Sequence, residues 1–472
     1  MRILAGALAL GLAVPAFAAP ALPAHPLPAH PAAEAEALEL AKQSIALRSV
    51  IGPDDQTPKV AALFRAALVK GGFAPEAITI TPVDTTAYMV ATWPGRDKSL
   101  KPLVISGHMD VVEAKPADWQ RDPFTPVVED GYLFGRGSSD MKFDDALMLA
   151  SLLELRREGY QPRRTIIFAL SGDEETTMKT SQIIADTLPP AELVLNIDGG
   201  SGVSDEATGK PLLFSWQGAE KTYVDFAMNV SNPGGHSSMP RPDNAIVQLA
   251  NAVAKIGAYH FAPQSNDLSR AWFAAMAKLE PDAKLAAALR AFNANPADPA
   301  ALATLRADPT YVGKLGTTCV PTMISGGHAQ NALPQHASAN INCRIFPGVK
   351  PAAVMAELEN VVGDKAVVFT NATTSDPAAQ GAPASPMRPD FTAAVEKAIH
   401  AVYPGVPVFP SIQSGASDSL WFRIKGIPAY AASPVFTKNS EDFSHGLNER
   451  VPLANIRPGV DYYLMLLKDL TK

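Results

Sequence analysis

Residues 165–175 read Thr165-Ile166-Ile167-Phe168-Ala169-Leu170-Ser171-Gly172-Asp173-Glu174-Glu175, an apolar run that stops abruptly at three consecutive acids. An apolar run without alternation is the pattern of a strand buried on both faces. Pro102 to Ile105 follows the same rule and leads into Ser106-Gly107-His108-Met109-Asp110. Leu193 to Ile197 does so again and leads into Asp198-Gly199-Gly200. Between the first two runs, Asp144 to Glu158 carries Leu147, Leu149, Leu152, Leu153 and Leu155, which gives a helix with a broad apolar face. Strand, helix, strand in this order predicts an α/β sheet with helices on both faces. Open sheets of this kind bind ligands at the carboxyl ends of their strands, where these charged residues fall.

Working outward, a helical pattern runs through Ala37, Leu40, Ile45 and Leu47, and another covers Val60 to Val69 before Gly71-Gly72. From about Leu212 the character changes. Thr222 to Val230 alternates as a strand, Asn244 to Ile256 has helical spacing, and residues 262–310 are Ala-rich and helical with Pro breaks. Ala337 to Ile345 and Ala366 to Thr370 read as further strands. Residues 218–375 are therefore expected to form an α+β unit inserted into a first domain made of 34–217 and 376–472. The helix pattern Asp390 to Tyr403 and the strand-like Ile427 to Ala431 are expected to rejoin the first sheet.

The chain has 472 residues, too many for one simple core, so two domains are the natural expectation. A net charge of -7, with no basic run to follow a phosphate backbone, argues against a nucleic-acid partner. Met1, Arg2, the apolar Ile3 to Phe17 and the small-residue end Ala16-Phe17-Ala18 form a secretory signal over residues 1–18. The protein is thus expected to be exported, periplasmic or secreted, with no stable membrane span after cleavage. Residues 19–33, rich in Ala and Pro and carrying His25 and His30, read as a linker. Export permits a disulfide between the two cysteines, Cys319 and Cys343, but spacing alone leaves their pairing open. Two thiols are too few for a Cys-rich zinc site, so a metal would be held by His and carboxylates.

The strand-end residues carry the chemistry. A lone His-x-Asp such as His108–Asp110 is commonly structural, and Asp140 in Gly135-Arg136-Gly137-Ser138-Ser139-Asp140-Met141-Lys142 could be a plain helix cap. Acids such as Asp173-Glu174-Glu175 are usually solvated. Here they follow a buried strand, where crowded like charges are costly unless cations compensate. Two dications about 3.5–4 Å apart, sharing a carboxylate, would compensate them.

On these motifs the chain resembles the M20 metallopeptidases, a family of dinuclear zinc aminoacylases, carboxypeptidases and dipeptidases. The resemblance spans nearly the whole mature chain, with the motifs in family order. It implies a mixed-sheet catalytic domain and an inserted lid and dimerisation domain. It also implies two Zn2+ per subunit, with Co2+ or Mn2+ as substitutes. By the same resemblance His108 and Asp198 hold one ion, Asp140 bridges, and Glu175 and His445 of Ser440–Glu449 hold the other. Asp110 orients His108, and Glu174 is the general base. His236, in Gly234-Gly235-His236-Ser237-Ser238-Met239-Pro240, stabilises the oxyanion, commonly across a dimer. Asn331 and Arg344 hold the substrate carboxylate, and Gly415 and Ser417 of Gly415-Ala416-Ser417-Asp418 line the pocket. A homodimer through the inserted domain is implied as well. The chain departs from the family pattern at Phe143, where Gly is common, and in the long stretch 262–310. His260, His328, His336 and His400 lack a strand-end acid and read as surface or packing residues.

A degenerate, binding-only member would lack a ligand or the base, and all are present. A nucleophilic Ser or Cys hydrolase would need a Gly-x-Ser-x-Gly elbow after a strand, and none occurs. The expected activity is hydrolysis of an amide in a small peptide with a free C-terminus, of dipeptidase or carboxypeptidase type. The alternative is an N-acyl-amino-acid deacylase. Asp198, rather than Glu, resembles the peptidase branches more than the typical deacylase.

Overall fold

The computed structural model describes residues 27–373 and 377–472. The expected signal segment 1–18 lies outside them, as does the domain boundary at 375–376. Of the expected linker 19–33, residues 19–26 also lie outside the described residues, but the rest corrects the reading. The first helix begins at Pro31 and runs to Ile45, and Ala33 is buried in the main core. Pro at the first helical turn costs nothing, because that N–H has no intrahelical partner. His30, just ahead of it, lies between Glu154 at 2.9 Å and Asp461 at 3.3 Å.

The ten-stranded main sheet is mixed, and its centre is parallel. Strand Leu103–His108 lies between Ile166–Ser171 and Leu193–Asn196, parallel to both, and Ala429–Ala431 extends the parallel set. His108 pairs in register with Ser171, and Ser106 with Asn196. The three charged segments read from sequence therefore leave the sheet at one edge. Leu103 and Ile105 face a core formed with helices Pro31–Ile45, Lys142–Arg157, Pro389–Val402 and Ile456–Leu470. Val104, Ile167, Ala169 and Val194 face the other way, against helices Lys179–Thr187 and Ser419–Ile424. Burial on both faces is why these strands read as unbroken apolar runs.

A second sheet of four antiparallel strands has the order Thr318–Gly326, His336–Ile345, Thr222–Ser231, Val367–Asn371. Helices Ala245–Ala258 and Pro351–Val362 cover one of its faces. Cys319 and Cys343 face each other in register on its first two strands and are joined, with Cα atoms 4.1 Å apart. The expected break at residue 218 falls inside strand Pro211–Glu220, which stays in the main sheet, and the second sheet starts at Thr222. The Ala-rich stretch forms four helices between Asp267 and Val312, with a core of Phe273, Leu289, Phe292, Leu305 and Tyr311. Leu268 at their start packs into the main-sheet core, so this block leans on the first sheet as well as belonging to the insertion. Among the described residues, no helix is long and apolar enough to cross a membrane.

Candidate metal centre

His108 ends its strand almost completely buried. Its Nδ1 lies 3.1 Å from the Asp110 carbonyl and 3.5 Å from Asp110 Oδ1, so a proton there is donated to Asp110. That sets the tautomer and turns Nε2 outward as a ligand. Nε2 lies 3.2 Å from Asp140 Oδ1 and 4.0 Å from Asp198 Oδ2. On the opposite side of Asp140, His445 Nε2 lies 3.3 Å from Oδ2 and 2.9 Å from Glu175 Oε1. The donors thus fall into two groups, His108 with Asp198 and Glu175 with His445, with one oxygen of Asp140 facing each. His445 adopts a left-handed backbone (φ 61), uncommon for a residue with a side chain and most often tolerated at functional positions.

The acid run after strand Ile166–Ser171 separates into two roles. Asp173 is buried and accepts the backbone N–H groups of Lys179 at 2.9 Å and Thr180 at 2.8 Å, together with the hydroxyls of Thr177 and Thr180. It thereby satisfies the first two N–H groups of helix Lys179–Thr187, whose N-cap residue is Met178. Glu174 and Glu175 are then released toward the cleft, and their backbone N–H groups donate to the two oxygens of Asp110 at 3.1 and 3.0 Å. Asp110 therefore orients His108 and also fixes the backbone of the candidate base and of a ligand.

Electrostatically the centre is a concentration of acids. Burial above all, opposed by the His108 charge and reinforced by Asp198, Asp418 and Glu175, pushes the Glu174 carboxyl well above its usual range. Asp198 rises for the same primary reason, with Asp140 as the next contributor. Asp140 goes the other way. Against its burial, hydrogen bonds from both imidazoles hold it well below the usual carboxylate range. Bonds to Asp140 and Glu175 push His445 up to about 10. Among the described residues, Asp140, Glu175 and Asp198 have no Lys or Arg ion pair. Their basic neighbours in the cluster are the two imidazoles, themselves candidate ligands. A donor set of imidazole and carboxylate, short of counter-charge and converging on one point, fits dications.

Two clefts flank the cluster. One, of about 480 Å3, is lined by Glu174, Glu175, Met178, Lys221, Tyr223 and Leu420. The other, of about 350 Å3, is lined by Asp140, Asp198, Gln217, Ser433, Glu441 and Asp442. Arg344 packs against Tyr223 of the first, its guanidinium 4.7 Å over the ring and its Nη1 donating to the Ser414 carbonyl at 2.8 Å. Gly415 follows directly in that loop, and Ala416 lines the cleft. Ser417 departs from expectation. It is buried, its hydroxyl donates to Glu220 and it accepts from Asn196 Nδ2 at 3.1 Å, so it is committed inside the protein. His236 and Asn331 are exposed on the short pairing of Gly235–His236 with Ala332–Leu333. His236 bonds Ser238, and the Asn331 carbonyl accepts from Ser237. Among the described residues, neither makes a hydrogen bond or ion pair to the candidate ligands.

Three participants carried no role in the sequence reading. Asp418 is buried, accepts from Ser171 at 2.7 Å, and is pushed up to about 6, chiefly by burial. Glu449 and Arg136 form a buried pair beneath the Gly-rich turn at 2.5 Å. All three stood inside quoted motifs, but only their burial beside the cluster marks them.

The profile of peptidase family M20/M25/M40 matches residues 104–469. A probable carboxypeptidase S-like 2 of Dictyostelium discoideum is 29% identical over 398 residues, covering 81% of this chain and 74% of that protein. An N-fatty-acyl-amino acid synthase/hydrolase PM20D1 of Xenopus tropicalis is 30% identical over 387 residues, covering 79% and 73%. The crystal structure of the M20 family metallo-carboxypeptidase Sso-CP2 from Sulfolobus solfataricus superposes with TM-score 0.66 at 17% identity, covering 92% of this chain and 98% of that one.

Proposed function

The chain belongs to peptidase family M20/M25/M40, a family of hydrolytic metalloenzymes, and from that premise we propose that it cleaves the amide bond of a small peptide with a free C-terminal carboxylate. The observation that carries this reading is Glu174. It lines the cleft beside Glu175, its backbone is clamped by Asp110, and its carboxyl is shifted upward, as suits a group that must both take and return a proton. His108, Asp140 and Asp198 would hold one zinc-type ion, and Asp140, Glu175 and His445 the other, with Co2+ or Mn2+ as substitutes. Bound there, two dications would acidify a water and neutralise the developing oxyanion. Glu174 is placed to take a proton from the attacking water and to return it to the leaving amine nitrogen. Asp110 keeps Glu174 and Glu175 in place while the charge moves. Arg344, braced by Tyr223 and Ser414, grips the substrate carboxylate, with Asn331 beside it when the insertion closes. His236 would meet the oxyanion from a partner subunit. An edge strand Thr318–Gly326 with Val320, Met323 and Ile324 exposed supports a homodimer through the insertion. Export to the periplasm or medium, with residues 1–18 as the signal, belongs to the same reading.

A second reading is favoured by the PM20D1 relative. Met178, Ala379, Ala382, Ala416 and Leu420 give the larger cleft an apolar wall that suits an acyl chain. A hydrolysis panel separates the two: dipeptides, the same dipeptides amidated at the C-terminus, and N-acyl amino acids. Dipeptides are expected to turn over fastest, and C-terminal amidation to remove activity. Preference for N-acyl amino acids supports the second reading, and equal rates on amidated peptides overturn the role of Arg344.

A further inference from the structure

Asp140 and Glu449 are 309 residues apart in sequence, yet Glu449 lies directly beneath the turn that presents Asp140. Glu449 is fully buried, and its carboxylate gathers donors from one short segment. Arg136 Nη1 donates at 2.5 Å, the Gly137 N–H reaches both oxygens at 3.1 Å, the Ser139 N–H donates at 2.7 Å and its hydroxyl at 3.1 Å, and the Asp140 N–H donates at 3.1 Å. The Glu449 carbonyl accepts the Gly135 N–H at 3.0 Å, so the turn is held at both ends. The other arm of Arg136 reaches the carbonyls of His445 at 3.4 Å and Gly446 at 3.2 Å, while its guanidinium sits 5.1 Å from the Trp119 ring centre.

This arrangement exceeds what stability alone asks for. A buried ion pair is a weak stabiliser, because desolvation cancels much of its Coulomb energy. Here its hydrogen bonds go to the backbone of two loops, one ending at the bridging carboxylate and the other at a ligand histidine in the left-handed region. A metal ligand displaced by a fraction of an ångström binds less well, so groups that hold ligand backbones govern affinity. We infer that Glu449 and Arg136 are positioning residues of the metal centre: Glu449 sets the backbone of Asp140 for both ions, and Arg136 sets that of His445 for one. The inference rests on the ligand set proposed above.

The test is zinc stoichiometry and affinity, by competition with a chromophoric chelator, for the wild type, Glu449→Gln and Arg136→Lys. Melting of the metal-free proteins and kcat and KM on the best dipeptide accompany it. Glu449→Gln keeps the shape but puts an NH2 where turn donors point. It should lose about 10- to 100-fold in affinity at both sites. Arg136→Lys keeps the charge beside Glu449 but lacks the second arm. It should weaken only one of the two ions, with kcat falling and KM little changed. A merely structural pair would lower the melting temperature of the metal-free protein and leave affinity per folded molecule unchanged, and that result overturns the proposal. If Glu449→Gln does not fold, Arg136→Lys decides alone, with wild-type affinity for both ions overturning the role. A wild type that takes up fewer than two ions sinks the ligand reading itself, a result distinguishable from intact wild-type binding with unaffected variants.

Discussion

The two largest sheets among the described residues hold their polar residues in opposite ways. At the carboxyl edge of the main sheet, His108 and Asp110 are buried, and Glu174 and Glu175 have their backbones tied to Asp110. On the four-stranded sheet, the polar row Tyr223, Asp225, Asn340, Asn342 and Arg344 lies on the uncovered face, and His236, on a separate short pairing, is exposed. That row is linked through Asp225, which accepts Tyr223 at 2.6 Å, Asn340 at 2.8 Å and Asn342 at 3.0 Å. The first region is built before anything binds. The second leaves its polar side chains on an open face, where the proposed function would place substrate or another subunit. On the proposed function, chemistry belongs to the tied edge and recognition to the open face.

The largest expected effect lies at the tied edge. Glu174→Ala should lower kcat by about 10²–10⁴-fold, the span of a positioned general base, while metal content by elemental analysis stays at the wild-type level. Full activity in that variant would end the assignment. His108→Ala should instead lose metal, and chelation of the wild type should reproduce its inactivity and lower the melting temperature through loss of linked binding energy. At the open face, Arg344→Ala should raise KM by about 10- to 100-fold, for a lost charge-assisted bond of about 1.5–3 kcal/mol, with kcat less affected. An equal fall in kcat would merge the two regions into one. The smallest effect on turnover is expected from Cys319→Ser with Cys343→Ser. Removing the cross-strand link should cost about 2–4 kcal/mol of stability, read by denaturant unfolding, with zinc content unchanged. Zinc loss in that variant would show that the smaller sheet also builds the metal site.

How much was legible depended on where the physics was local. An apolar run ending in charge is a local signal, and Leu103–His108, Ile166–Ser171 and Leu193–Asn196 emerged within three residues of their readings. Alternation also revealed Thr222–Ser231 and His336–Ile345, but other strands went unread. Thr86–Trp93 and Pro211–Glu220 alternate in burial, because each has one partly solvated face, and Thr318–Gly326 is an exposed edge carrying Pro321. The linker reading failed at Pro31 for a related reason: composition reports how many apolar groups a segment has, and Ala33 needed only one buried place to fill.

Residue order along the chain was enough to read the α/β class, the strand-end acids and, through motif resemblance, the expectation of a two-metal centre, because backbone hydrogen bonding and burial impose those patterns on neighbouring residues. Folding alone distinguished Asp173, spent on the first N–H groups of a helix, from Glu174 and Glu175, which face the cleft. It also brought His445 to Glu175 across 270 residues and put Glu449 under Asp140, and it turned Ser417 inward. These outcomes depend on which distant groups share a low-dielectric interior, where each buried donor or acceptor must find a partner, and one-dimensional order does not encode that pairing.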